Sequence, residues 1–256
     1  MPETFALPKL RFAKSAALGA LFLSIIALCW WLAGADHRLP ISVLYPMRPA
    51  SGIGVGALSI SLLAILSGRL RLSRMSALVA VAAGALSLTG QLVRWAHIDN
   101  AVRDPLPGMS LLLTAFPNLL CFVIAGSAIA ALASIRLSVH RSVWAAISGA
   151  VTATLGGCGL INELLVILPA SPAFEGEVAI DATLALTLIG LALVNIAHAQ
   201  AARGGEEVEI YRPVIVVALG TMASFIMWRS LLEERSNVVA YQTANGASAI
   251  AKALRS

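Results

Sequence analysis

The sequence predicts an all-α protein, a polytopic transmembrane helical bundle of about seven spans built from repeated helical hairpins. Of its 256 residues, 59% are hydrophobic and only 12% charged, and the mean hydropathy is +0.86. A soluble domain carries about a quarter charged residues. Half that share cannot solvate a globular surface, which makes lipid the solvent for much of the chain. The apolar residues also fall into seven runs near the roughly 20 residues that a bilayer crossing requires. Finally, the basic residues gather between alternate runs, as they do at one membrane face.

The expected spans are 15–34, 51–68, 75–95, 108–134, 142–164, 179–199 and 213–228. Lys9, Arg11 and Lys14 precede the first, which superficially gives it the look of a signal peptide. It is of span length and lacks a small-x-small cleavage site, so it reads as a retained span. The fourth is long, and its Pro117 is expected to kink it or to mark where the chain enters lipid. The seventh rises only about 24 Å, but Arg212 and Arg229 can snorkel to its two interfaces. Tyr211 and Trp228 stand where an aromatic belt would place them.

Lys9, Arg11, Lys14, Arg69, Arg71, Arg74, Arg136, Arg141, Arg203 and Arg212 fall on one face of this layout. The opposite loops hold Asp36, Asp99, Asp104, Glu175 and Glu177. The positive-inside rule places the first set in the cytoplasm. Residues 1–14 are then a cytoplasmic N-terminus, 15–228 a seven-span domain, and 229–256 an extracytoplasmic segment. The last has apolar residues at helical spacing and reads as an amphipathic helix.

The chain also looks internally repeated. Tyr45-Pro46-Met47-Arg48-Pro49 leads into the second span, Leu106-Pro107-Gly108-Met109 into the fourth, and 177–183 into the sixth in a comparable place. The layout is three hairpins and a lone final helix, each hairpin with a longer loop on one side and a tight basic link on the other.

Gly52-x-Gly54-x-Gly56 is similar to a nucleotide-binding loop, but it lies inside a span and follows no strand. Close helix packing is the better reading, as it is for Gly156-Gly157-Cys158-Gly159. Cys29, Cys121 and Cys158 lie inside apolar runs without CxxC spacing and read as small buried hydrophobes, not metal ligands. Retinal needs an intramembrane lysine, yet Lys9, Lys14 and Lys252 all lie outside the spans. Haem would need facing histidines, and no two of the four share a span. No cofactor and no catalytic residue is therefore expected. The +5 net charge fits membrane faces better than nucleic acid.

Arg94, His97, Asn162 and Glu163 are the ligand-site candidates, because ionisable groups within spans are costly. Arg94 and His97 end the third span, while Asn162 and Glu163 lie at similar depth in the fifth. An Arg94–Glu163 pair would neutralise both charges in a polar pocket that senses a ligand or carries a proton. Ordinary snorkelling into headgroups explains the same residues. Asp181 reads as an N-terminal carboxylate favoured by the helix dipole.

Pro46-Met47-Arg48-Pro49-Ala50-Ser51-Gly52 and Gly108-Met109-Ser110 with Thr114-Ala115 resemble the Pro-Met-x-Pro-x-Thr-Ala segments in multi-span sensor regions of bacterial histidine kinases and diguanylate cyclases. The second carries one extra residue between Met and Thr. Arg229-Ser230-Leu231-Leu232-Glu233-Glu234-Arg235 is similar to the lead into an extracytoplasmic CHASE-type domain. The resemblance implies a sensory, signal-transducing module of the bacterial inner membrane, acting as a homodimer or with a partner membrane subunit. Members of that family continue into output domains that this sequence does not contain. A small transporter and a structural accessory subunit are the alternatives, and the sequence names no ligand.

Overall fold

A computed structural model describes residues 9–33, 47–96, 116–134, 139–167, 179–203, 212–227 and 230. Among them are seven helices and no strand. They are α1 (Lys9–Leu32), α2 (Pro49–Leu66), α3 (Leu70–Ala96), α4 (Phe116–Leu132), α5 (Val139–Ile167) and α6 (Ile180–Arg203), then α7 (Arg212–Met227). Five of these, α1, α2, α3, α5 and α6, are long and apolar enough to cross a membrane, while α4 and α7 are shorter. Of the seven expected spans, five are thus matched by helices of span length and two by shorter apolar helices. Apart from residue 230, the expected helix over 229–256 lies outside the described residues.

Proline falls near the start of two described helices. The described part of the fourth helix runs from Phe116 to Leu132, with Pro117 in its first described turn; residues 108–115 of the expected span lie outside the described residues. A proline is tolerated in a first helical turn because its missing N–H has no helical partner there. α2 likewise starts on Pro49, and Arg48 before it is extended (φ −60°, ψ 148°), as a residue preceding proline prefers. α2 ends in a Schellman turn. The Gly68 N–H donates to the Ile65 carbonyl at 3.0 Å and the Arg69 N–H to the Ala64 carbonyl at 2.8 Å. Gly68 takes the left-handed conformation, φ +75°, that this turn requires and that other residues adopt at a cost.

Helices α1 to α6 form a closed ring in chain order, with α6 packed back on α1. In addition α2, α4 and α6 touch one another across the middle. The three hairpins α1–α2, α3–α4 and α5–α6 therefore repeat one arrangement. Each places its second helix inside and its first helix outside, in the groove between two inner helices.

The side chains follow the same division. Every one of the largest fully buried side chains belongs to an inner helix or its lead-in: Met47, Leu58, Leu62 and Ile65; Leu119, Phe122 and Ile129; Leu186, Ile189, Leu193 and Ile196. The outer helices turn small residues inward at the same four-three spacing. These are Ala13-Ala17-Ala20-Ser24-Ala27 in α1 and Ser73-Ala77-Ala80-Gly84-Ser87 in α3. In α5 they are Ala145-Gly149-Thr152-Gly156-Gly159, of which Gly159 is half-buried. Their bulky residues, such as Phe22, Met75 and Trp144, face outward. Of the cysteines, Cys121 is buried, Cys158 is half-buried, and Cys29 is exposed on the outer surface, so only the first fits the buried role expected.

α5 and α6 approach most closely. A Cβ on Gly149 would lie 2.8 Å from the Gly190 carbonyl oxygen, and one on Gly156 would lie 2.7 Å from the Thr187 backbone nitrogen. A Cβ on Gly190 would meet the Ala153 backbone nitrogen, whereas one on Gly157 would meet nothing within 4 Å. Gly190→Ala should therefore destabilise the protein by about 1–3 kcal/mol through overpacking. Gly157→Ala should cost nothing, since alanine is favoured over glycine in a helix interior by about 1 kcal/mol. Thermal unfolding of the two variants in detergent distinguishes them. Equal shifts in Tm would contradict the close α5–α6 contact.

Candidate functional site

The inner helices run parallel, and their first turns meet at one end of the bundle. The Ser24 hydroxyl of α1 donates to the Gly52 carbonyl at 2.8 Å, anchoring the start of α2. A Cβ on Gly54 would lie 2.9 Å from the Phe122 ring, so glycine is what lets α2 and α4 come together. Deeper in, Cys121 of α4 is fully buried.

Asp181, in the first turn of α6, joins two of these starts. One carboxylate oxygen accepts the Ala182 N–H at 2.9 Å. The other accepts the Met47 N–H, 134 positions earlier in the chain, at 3.1 Å. Met47 itself is buried, 1% exposed, directly ahead of α2. The carboxylate thus lies near the positive ends of two helix dipoles, sharing the Ala182 N–H with the Ala179 carbonyl and accepting the Met47 N–H just ahead of α2. Asn118 is also buried, in the first turn of α4 at the same end. The arrangement offers a carboxylate and an amide beside three convergent helix starts, which suits recognition by hydrogen bonding. Among the described residues no three His, Cys, Asp or Glu side chains gather to hold a metal.

The candidates named from sequence sit elsewhere at this end. Arg94 is in the last turn of α3, and Asn162 and Glu163 are in the closing turns of α5. Their side chains, and His97 altogether, lie outside the described residues. Among the described residues α3 and α5 do not touch, because α4 comes between them. Asp181 was legible in the sequence as a dipole-favoured carboxylate, but its reach to Met47 was not. The available signal was that both residues belong to the repeated lead-ins.

Removing the carboxylate should expose its dual role. Asp181→Leu leaves the Met47 N–H buried without an acceptor, at a cost of about 1–3 kcal/mol, while Asp181→Asn retains one acceptor oxygen and should lose less. Thermal unfolding gives the order, and faster amide exchange at Met47 in the leucine variant locates the effect. Unchanged exchange there would contradict the contact. Compared with known proteins, the chain matches no family model, no curated protein and no solved structure.

Proposed function

We propose that this chain is a membrane-embedded sensory module, reading a signal at the end of the bundle where α2, α4 and α6 begin. The observation that carries the reading is the Asp181–Met47 contact. It ties the lead-in of the first hairpin to the start of α6, so a displacement of either is felt by the other. α6 in turn precedes α7, whose Ile215, Val216, Leu219, Ile226 and Met227 are exposed and which packs on the bundle partly through Val214. A helix held at one end and largely free of the bundle is suited to transmit motion to a homodimeric copy or a partner subunit.

In this reading the protein lies in the bacterial inner membrane, with its N-terminus in the cytoplasm and residues 229–256 outside. The likeness of Pro46-Met47-Arg48-Pro49 to sensor-region lead-ins points the same way, toward a histidine kinase or cyclic-di-GMP pathway. The transporter alternative has less support, because the largest buried side chains of the described bundle are leucine, isoleucine, phenylalanine and methionine. The test is the coding sequence beyond codon 256. The expected result is an in-frame extracytoplasmic domain, a further span, and a kinase or cyclase domain. Solute uptake into vesicles by residues 1–256 alone would contradict the reading.

A further inference from the structure

The end of the bundle opposite Asp181 carries a different chemistry. Arg11 and Lys14 lie on the first turns of α1, and Arg69, Arg71 and Arg74 lie on the α2–α3 turn and the start of α3; all five are exposed. None has an acidic partner among the described residues. Asp181, at the far end, is the one carboxylate whose side chain is described. The acidic run Glu206-Glu207-x-Glu209 belongs to the link after α6, outside the described residues.

The packing fixes the height of these cations. Ser24 of α1 bonds Gly52 of α2, so ten residues away on the antiparallel pair Lys14 stands level with Leu62. The Ser61 hydroxyl donates to the Ser73 carbonyl at 2.6 Å, so Arg74 stands level with Ile60. Lys14 and Arg74 thus flank the last two turns of α2 on its two sides. Arg11, Arg71 and Arg69 lie further out, the last held by the Schellman turn at Gly68. Beneath them the same helices present Phe12, Leu18, Leu72, Met75 and Leu78 outward, an apolar surface for acyl chains. The α4–α5 turn is different, since Arg141 there already hydrogen-bonds the Ser134 hydroxyl.

We propose that the α1–α2–α3 sector is a selective binding surface for anionic phospholipids, whose phosphate and charged headgroup oxygens sit between Arg11 and Lys14 on one side and Arg69, Arg71 and Arg74 on the other. The proposal rests on the helices lying in a bilayer. It differs from a general preference of basic loops for one face, because it places the lipid on one sector of the bundle. Lysine and arginine reach such headgroups by snorkelling from within the last turns, and each basic side chain near an anionic surface contributes up to about fivefold in lipid affinity.

The test uses the full chain, reconstituted into vesicles of phosphatidylcholine alone or of equimolar phosphatidylcholine and phosphatidylglycerol. After flotation the protein is extracted, and its retained lipids are counted by native mass spectrometry. Phosphatidylglycerol should be retained over phosphatidylcholine by at least about fivefold. The triple variant R69Q/R71Q/R74Q and the double variant R11Q/K14Q should each bring the ratio toward one, and R69K/R71K/R74K should restore it. These side chains are exposed, so Tm should stay unchanged in all of them. Flotation with both vesicle types but equal retention of the two lipids would overturn the surface alone, as would a preference that survives both glutamine variants. Failure to float with either vesicle would overturn the membrane reading and the surface with it.

Discussion

The bundle depends on how closely an outer helix can approach an inner one. In lipid there is little hydrophobic gain in bringing two apolar helices together, so association relies on close packing and on hydrogen bonds between helices. The outer helices meet that constraint with alanine, glycine, serine and threonine along their four-three stripes, with Leu10 at the start of α1 as a large exception. Small residues at this spacing suit the shallow left-handed crossings of membrane bundles. Into the grooves so made go the leucines, isoleucines and Phe122 of α2, α4 and α6. The largest buried side chains come from the inner helices, and most large residues of the outer helices face out. The three-hairpin ring follows from that division repeated three times.

Polar side chains then fix the register that apolar packing alone would leave free. Ser24 holds α1 to α2 at Gly52, Ser61 holds α2 to α3 at Ser73, and Asp181 holds the lead-in of α2 to α6. Interhelical hydrogen bonds in membranes average only about 0.6 kcal/mol, so their weight lies in position more than in stability. Asp181 stands apart because it is charged, sits among the helix starts, and joins the first hairpin to the third. It is the one described carboxylate, and the fold gives it two backbone donors.

Much of the fold was legible in the sequence because it is a matter of composition and span length. The seven apolar runs match seven helices, and the three-hairpin plan is the one the ring adopts. Gly52, Gly54 and Gly56 are packing positions, as their place inside a span implied: a Cβ at each would crowd Leu28, Phe122 and Ser24 in turn. The division into inner and outer helices was harder to see. Its signal, the spacing of Ala13, Ala17, Ala20, Ser24 and Ala27 and its echoes in α3 and α5, carries no contrast in hydrophobicity, since both faces of a lipid-exposed helix are apolar. What differs is side-chain size. The candidate site was legible only in part. Depth along the membrane can be read from span position, and it grouped Arg94 with Glu163. Neighbourhood around the ring cannot, and the ring sets α4 between their helices. Asp181 and Met47, both in repeated lead-ins, are joined by a backbone N–H that no residue pattern announces.

The central claim is the division of α1 to α6 into an outer and an inner set. A carbene reagent dissolved in the lipid phase of reconstituted vesicles, with labelled positions mapped by mass spectrometry, tests it most directly. The account predicts strong labelling at Phe22 and Ile26 of α1 and at Met75, Leu78 and Leu86 of α3. It predicts none at Leu58 and Leu62 of α2, Ile129 of α4, or Ile189 and Leu193 of α6. Labelling of Leu58, Leu62, Ile189 and Leu193 as strong as that of the α1 and α3 positions would contradict it.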